Sequence, residues 1–487
     1  MRNSCNDRSA LLSAQFCLCL FTLAVSLVYP SLRPKTDFNA SPQVYKQQSI
    51  SAAMTEAAAQ KLNGGKKYEN RLRQVEEILY VGTEPIDYDE LRASCSYGIP
   101  ENLRPLAWRI LLNYLPRERE TWKLHLKGLR ATYDSLIEDL IIKPIEENKF
   151  GCEDHPLSQN PGSEWNSYFQ DNEVLLQIDK DVRRLYPEID FFQRPTAYPH
   201  KEAVKVRLSQ RITQEGLKAE VVDYNKRANF IERERRKSSK PHQEDINECT
   251  ETHWQVVERI LFIYSKLNPG VKYVQGMNEV IGPIYYAFAS DQDKEWAAHA
   301  EADTLYCFQL LMSEIKDNFI KSLDNSHFGI DAGMTRFHNR LLEVDPELHS
   351  HIVDVLVIKP QFYVFRWMSL LLSQEFPLPD VTTIWDALFA DAKRFALLDD
   401  VMLAMLILER ENLMNMEFGS ALRLLQNYPE IDVLKLVHLA YSIRDGQYSP
   451  PRQQSPKLSS REKFQEVKNG VTTLLSSKLK SFSFKKQ

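Results

Sequence analysis

Residues 273–289 read YVQGMNEVIGPIYYAFA and follow a helix-breaking Asn-Pro-Gly at residues 268–270. Val274, Met277, Ile281, Ile284 and Phe288 recur at steps of three and four, the apolar stripe of a buried helix. Gln275, Glu279 and Gly282 share a flank beside that stripe, so the glutamine is expected on display next to a hollow. The same period recurs along the chain, in ENLRPLAWRILLNYL (101–115), EVLLQIDKDVRRLY (173–186) and HWQVVERILFIYSKLN (253–268). It continues through DTLYCFQLLMSEIKDNFI (303–320), FYVFRWMSLLLSQE (362–375) and ALLDDVMLAMLILERENLM (396–414). No alternating run competes with these segments, and the fold class expected is all-α.

A chain of 487 residues, 43% apolar and 26% charged, has ample material for a large core. A formal net charge of -5, with no zinc-finger spacing and no RNA-binding aromatic signature, argues against a nucleic-acid partner. The seven cysteines show no CxxC and no repeated spacing. They are expected to be free thiols, not a disulfide framework.

The N-terminal run ALLSAQFCLCLFTLAVSLVYP (10–30) carries no charge and is long enough to span a bilayer. Three readings stay open for it. Ala24 and Ser26 offer a small-x-small cleavage site; Arg33 and Lys35 suit an anchor whose C-terminal part faces the cytosol; and Met54 suits a start that leaves the run out as a leader. Residues 1–67 are therefore assigned to leader and linker, and 68–444 to the globular domain. Within that domain, 200–251 is dense in both charges and reads as an insertion. Residues 445–487 form a Ser/Pro-rich, then basic tail, expected to be disordered, with weak attraction to anionic membranes as the sharper alternative.

Self-contained catalytic chemistry is missing from the pattern. NGGKKYEN (63–70) lacks the spacing of a phosphate-binding loop, and no HExxH, GxSxG or Cys/His arrangement occurs. DQDKEW (291–296) begins like a calcium loop but has Trp296 where the turn needs glycine, so a solvated acidic loop is expected. His349 and His351 lie on different sides of a helix, and no metal site is expected.

QIDKDVRRLYP (177–187) is the second unusual segment. Leu175, Ile178, Val182 and Leu185 form its buried stripe, which turns Arg184 outward from a last turn ended by Pro187. Asp181, three residues earlier, is in reach of that guanidinium. Taken alone, this reads first as a surface ion pair at the negative end of a helix dipole.

Together, Ile178-x-x-Asp181-x-x-Arg184 and Tyr273-x-Gln275 resemble the IxxDxxR and YxQ signatures of the TBC domain family of Rab GTPase-activating proteins. The likeness extends to GIPENLRPLAWRILLNYL (98–115), with Arg104 and Trp108, and to IWDALF (384–389), with Trp385 and Asp386. In order and rough spacing it covers about residues 98–444. Arg184 and Gln275 are about ninety residues apart, where the family usually has fewer than half that; the charged 200–251 stretch accounts for the excess.

The resemblance implies a TBC-type domain of two helical subdomains that accelerates GTP hydrolysis by a GTP-bound Rab and so regulates vesicle trafficking. It is not an enzyme on its own account, but supplies residues in trans. It implies no cofactor of this chain's own, because GTP and Mg2+ sit in the Rab. Arg184 is implied as the arginine finger and Gln275 as the water-orienting glutamine. Ile178 would anchor the finger helix, Asp181 would aim Arg184, and Tyr273 and Asn278 would support Gln275. Gly276 would let the partner's backbone come close, while Arg104, Trp108, Trp385 and Asp386 are expected to be structural. A noncatalytic Rab-binding scaffold is the alternative, and a cytoplasmic or membrane-associated location follows from the partner.

Overall fold

The computed structural model describes residues 69–81, 84–143, 164–209, 211–212, 250–320 and 329–451. The N-terminal apolar run, most of the charged insertion and the basic tail lie outside the described residues. Among the described residues the secondary structure is helical, apart from one isolated antiparallel bridge between Pro195 and Thr252. None of the described helices is long and apolar enough to cross a membrane.

The first helices are α1 (69–80), α2 (Tyr88–Cys95), α3 (Arg104–Leu111), α4 (Trp122–Ile137) and α5 (Glu164–Val182). The central three are α6 (His253–Leu267), α7 (Met277–Ala289) and α8 (Ala300–Ile315). The last six are α9 (Ile330–Val344), α10 (Val364–Ser369), α11 (Leu378–Ala390), α12 (Ala396–Leu408), α13 (Phe418–Gln426) and α14 (Val433–Arg444). They pack as two groups. In the first, α6 lies against α5, α7 and α8, with α4 on α8; in the second, α12 lies against α14 and α9, with α10 on α9. Helix α11 joins them through contacts with α2, α3, α7 and α14, and one apolar core runs from Val75 to Ile443.

The core follows from the periodic runs. Leu175, Ile178, Val182 and Leu185 are all buried, as are Met277, Ile281, Ile284 and Phe288 on α7. Helix α6 starts at a capping box, in which Thr252 and Gln255 satisfy each other's backbone donors. Two expectations need correction. FYVFRWMSLLLSQE is not one continuous helix: α10 stops at Ser369, and Leu371 and Leu372 take φ of 50° and 64°. Two successive bulky residues there carry backbone strain that only tight surroundings sustain, and both are fully buried.

The charged stretch is the other. Its described edges belong to the core, because Ala203, Val204 and Leu208 are buried. Glu251 is buried too and, with Glu301, clasps the guanidinium of Arg259; Glu301 also accepts Tyr133 Oη at 2.6 Å. A buried arginine is tolerable only when its donors are met in this way.

The acidic loop at 291–296 exposes residues Gln292 to Glu295 to solvent, as expected, while its two ends are tied down. Asp291 accepts from the buried Arg109 at 3.1 Å, Asp293 caps the short helix that follows, and the Trp296 ring lies under the guanidinium of Arg109 at 4.5 Å. Asp303 closes that cluster with bonds from Arg109, Arg130 and Tyr114. No group of three metal-ligating side chains forms among the described residues.

Candidate functional site

Helix α5 delivers the arginines. Its last turn tightens, with Arg184 N–H bonded to the carbonyl of Asp181 and Leu185 N–H to that of Val182, and Tyr186 then takes a φ of 43°. Ile178 is fully buried and anchors the helix. The adjacent Arg183 and Arg184 part company here. Arg183 is fastened down: its Nε meets both oxygens of Asp179 at 2.9 Å, and its guanidinium lies 4.4 Å from the Trp254 ring. Arg184 is 63% exposed and tethered by a bond of 2.7 Å from Nη2 to Asp181, whose own side chain is 5% exposed. Asp181 thus aims a guanidinium that keeps the rest of its fork toward solvent.

Asp181 also reaches the glutamine segment. Its Oδ2 accepts the Tyr273 hydroxyl at 2.8 Å, and Tyr273 lies 3.2 Å from Asn278 Oδ1. Burial, with Asp181 beside it, holds the Tyr273 hydroxyl well above the usual phenol range, so it remains a donor. Asn278 Oδ1 in turn accepts Gly276 N–H at 3.2 Å. A run of close polar contacts, with the Tyr273 proton directed chiefly at Asp181, therefore links Arg184 to the residue next to Gln275.

Gln275 and Val274 lie in the turn ahead of α7, not on the helix flank that the periodicity suggested. Gln275 is exposed there. Gly276 caps the helix at φ 104°, and a Cβ on it would stand 2.7 Å from Leu370 Cδ2. Its glycine character thus serves an internal close approach, and the residue is buried. The hollow expected at Gly282 is filled: a Cβ there would meet the Tyr186 ring at 2.6 Å.

Several participants were not singled out from the sequence. Tyr186 donates to the carbonyl of Glu279 at 3.2 Å, and Glu279 bonds Asn278 Nδ2 at 2.9 Å and the side chain of Gln374. Leu370 and Gln374 come from the strained segment after α10, so the second helical group seats the glutamine turn. The positive φ of Leu371 and Leu372 lies in an unbroken apolar run and left no signal to read.

Arg104, Trp108, Trp385 and Asp386 take no part in these bonds and are buried or nearly so. Asp386 accepts Arg104 Nε at 3.0 Å, Trp108 Nε1 at 2.7 Å and Ile99 N–H at 2.8 Å, and Trp385 Nε1 bonds the carbonyl of Leu371. Their arrangement is that of a structural keystone.

An all-helical fold of two packed groups, with an exposed arginine linked to an exposed glutamine turn, is the frame in which the comparisons fall. A family model described as the Rab-GTPase-TBC domain matches residues 202–414. That range holds Gln275, Trp385 and Asp386 and begins after Arg184. The chain belongs to this family. It is 47% identical over 399 residues to TBC1 domain family member 13 of Mus musculus, covering 78% of this chain and 99% of that protein. It is 32% identical over 453 residues to a TBC domain-containing protein of Schizosaccharomyces pombe, covering 77% and 73% respectively. Among solved structures, the Ypt/Rab-GAP domain of Gyp1p shares the fold, with a TM-score of 0.55 at 20% identity over 78% of this chain and 98% of that one.

Proposed function

We propose that this protein accelerates GTP hydrolysis by a GTP-bound Rab GTPase, with Arg184 and Gln275 both supplied in trans, and that it thereby regulates vesicle trafficking from the cytoplasmic side. The observation that carries this reading is the pairing of a largely exposed, single-tethered Arg184 with the Gln275 turn through Asp181, Tyr273 and Asn278. In the complex GTP and Mg2+ belong to the Rab. Arg184 would present its free N–H groups to the phosphate oxygens on which charge builds, worth roughly 10³ to 10⁵ in rate for such a finger. Gln275 would use its amide to orient the attacking water, and Asp181 would keep the fork aimed without touching the substrate.

Arg184→Lys tests this most directly, because it keeps the charge and the Asp181 pair but removes the planar fork. Accelerated phosphate release from the cognate Rab should fall on the order of 10²-fold or more, with the fold and Rab binding retained. Arg183→Ala is the control and should keep most activity, since Asp179 and Trp254 hold that side chain aside. Near-normal turnover in Arg184→Lys, with Rab binding intact, would favour a noncatalytic binding module instead.

A further inference from the structure

Glu279 lies one helical position beyond Asn278, half-buried, and none of the roles above needs its charge. The Gly276 N–H must face an acceptor, which fixes Asn278 with Oδ1 toward Gly276 and Nδ2 toward Glu279 Oε1 at 2.9 Å. Tyr273 has a single hydroxyl proton, and the 2.8 Å contact with Asp181 takes it in preference to the 3.2 Å contact with Asn278. The Asn278 amide is therefore held chiefly by Gly276 on one side and Glu279 on the other.

We propose, building on the finger reading above, that Glu279 is a positioning residue: its carboxylate grips the Asn278 amide, and through Gly276 sets the turn that presents Gln275. Proton uptake at Glu279 turns a charge-assisted bond into a neutral one of about half the strength and loosens that turn. The setting suits a titration in the working range. Burial pushes the Glu279 carboxyl up to about 7, against the hydrogen bonds from Asn278 and Gln374. The charged and titratable groups around it are Arg184, which favours ionisation, and Glu188, which opposes it, with Tyr186 from the same stretch. Tyr273 faces it from its own loop, and the strained segment after α10 contributes the uncharged Gln374.

Two readouts test the proposal. Gln275–Gly276 is the one Gln-Gly pair in the sequence, so labelling glutamine carbonyls with ¹³C and glycine amides with ¹⁵N isolates the Gly276 amide by NMR. In the free wild-type protein that signal should shift with a midpoint near neutral pH, and in Glu279→Gln it should stay put. Stimulation of GTP hydrolysis by the Rab, corrected for the Rab's own pH dependence, should fall about three- to tenfold from pH 8 to pH 6 in the wild type and lose that inflection in the variant. Asn278→Ser, which shortens the link, should likewise uncouple the amide from Glu279. A flat Gly276 signal in the wild type, or one whose titration survives in Glu279→Gln, overturns the proposal. A titrating amide lost in the variant supports it even if no Rab's GTP hydrolysis is stimulated, in which case the finger reading fails instead.

Discussion

At the scale of single residues, two carry consequences out of proportion to their size. Gly276 has a φ of 104° and no room for a Cβ beside Leu370. Gly276→Ala should therefore destabilise the fold by about 1–3 kcal/mol. In a double-mutant cycle with the buried Leu370, Leu370→Ala should offset only the steric share of that loss, because the backbone strain remains; chemical denaturation of the single and double variants checks both claims. Glu279 gives a pH dependence with a definite sign. Its carboxyl is raised from 4.5 to about 7 in the fold, so the native state binds the extra proton. The stability this contributes is complete below about pH 4.5 and lost as pH rises through 7. Glu279→Gln should flatten that fall relative to the wild type by about 1–3 kcal/mol between pH 4.5 and 8, after allowance for partial exposure, as read from denaturation midpoints. The sequence displayed Arg184, Asp181, Tyr273 and Gln275 because their spacing is local. It concealed Leu370 and Gln374, whose part depends on tertiary approach across about a hundred residues.

At the scale of elements, helical period located α5, α6, α7, α8 and α12, which are amphipathic or wholly buried runs, and passed over α4, α9 and α14. It failed where an apolar run continues past a helix end, at Leu371 and Leu372, because period alone does not report φ. Composition blurred the insertion in a similar way. A charged stretch reads as expendable, yet Glu251 is one of the two carboxylates that neutralise buried Arg259. Glu251→Ala should cost about 3–5 kcal/mol, seen as a lowered melting temperature, because it leaves that guanidinium half-compensated. Removing all of 200–251 should cost at least as much. Excising only 213–249 with a short flexible joint spares these contacts, and the Arg207 side chain already bonds the carbonyl of Thr250 at 2.8 Å. Cooperative melting of that shortened protein should persist.

At the scale of the whole molecule, Asp386 is the point where the ends of the domain close. The carboxylate is fully buried and collects Ile99, Arg104 and Trp108 from nearly three hundred residues earlier in the chain. Asp386→Ala should lower unfolding free energy by about 3–5 kcal/mol, since Arg104 and Trp108 lose their shared acceptor. Circular dichroism melts should show the loss while the α5 terminus keeps its local bonds. The resemblance seen in the sequence carried the expectation that these four residues are structural. It could not foretell that one carboxylate serves three donors, because the contact order of that closure is invisible to local pattern.

The meeting of Arg207 with Thr250 has a further meaning. Arg184 lies on one side of the long excursion between those residues and Gln275 on the other, while α5 and α6 hold the two sides together by packing. Breaking the chain within 213–249 should therefore leave the alignment of Arg184 and Gln275 intact. The domain should then behave as a two-piece assembly: cut within 213–249, each fragment would carry one of the two proposed site residues, and their reassembly would be reported by the return of stimulated GTP hydrolysis on the Rab.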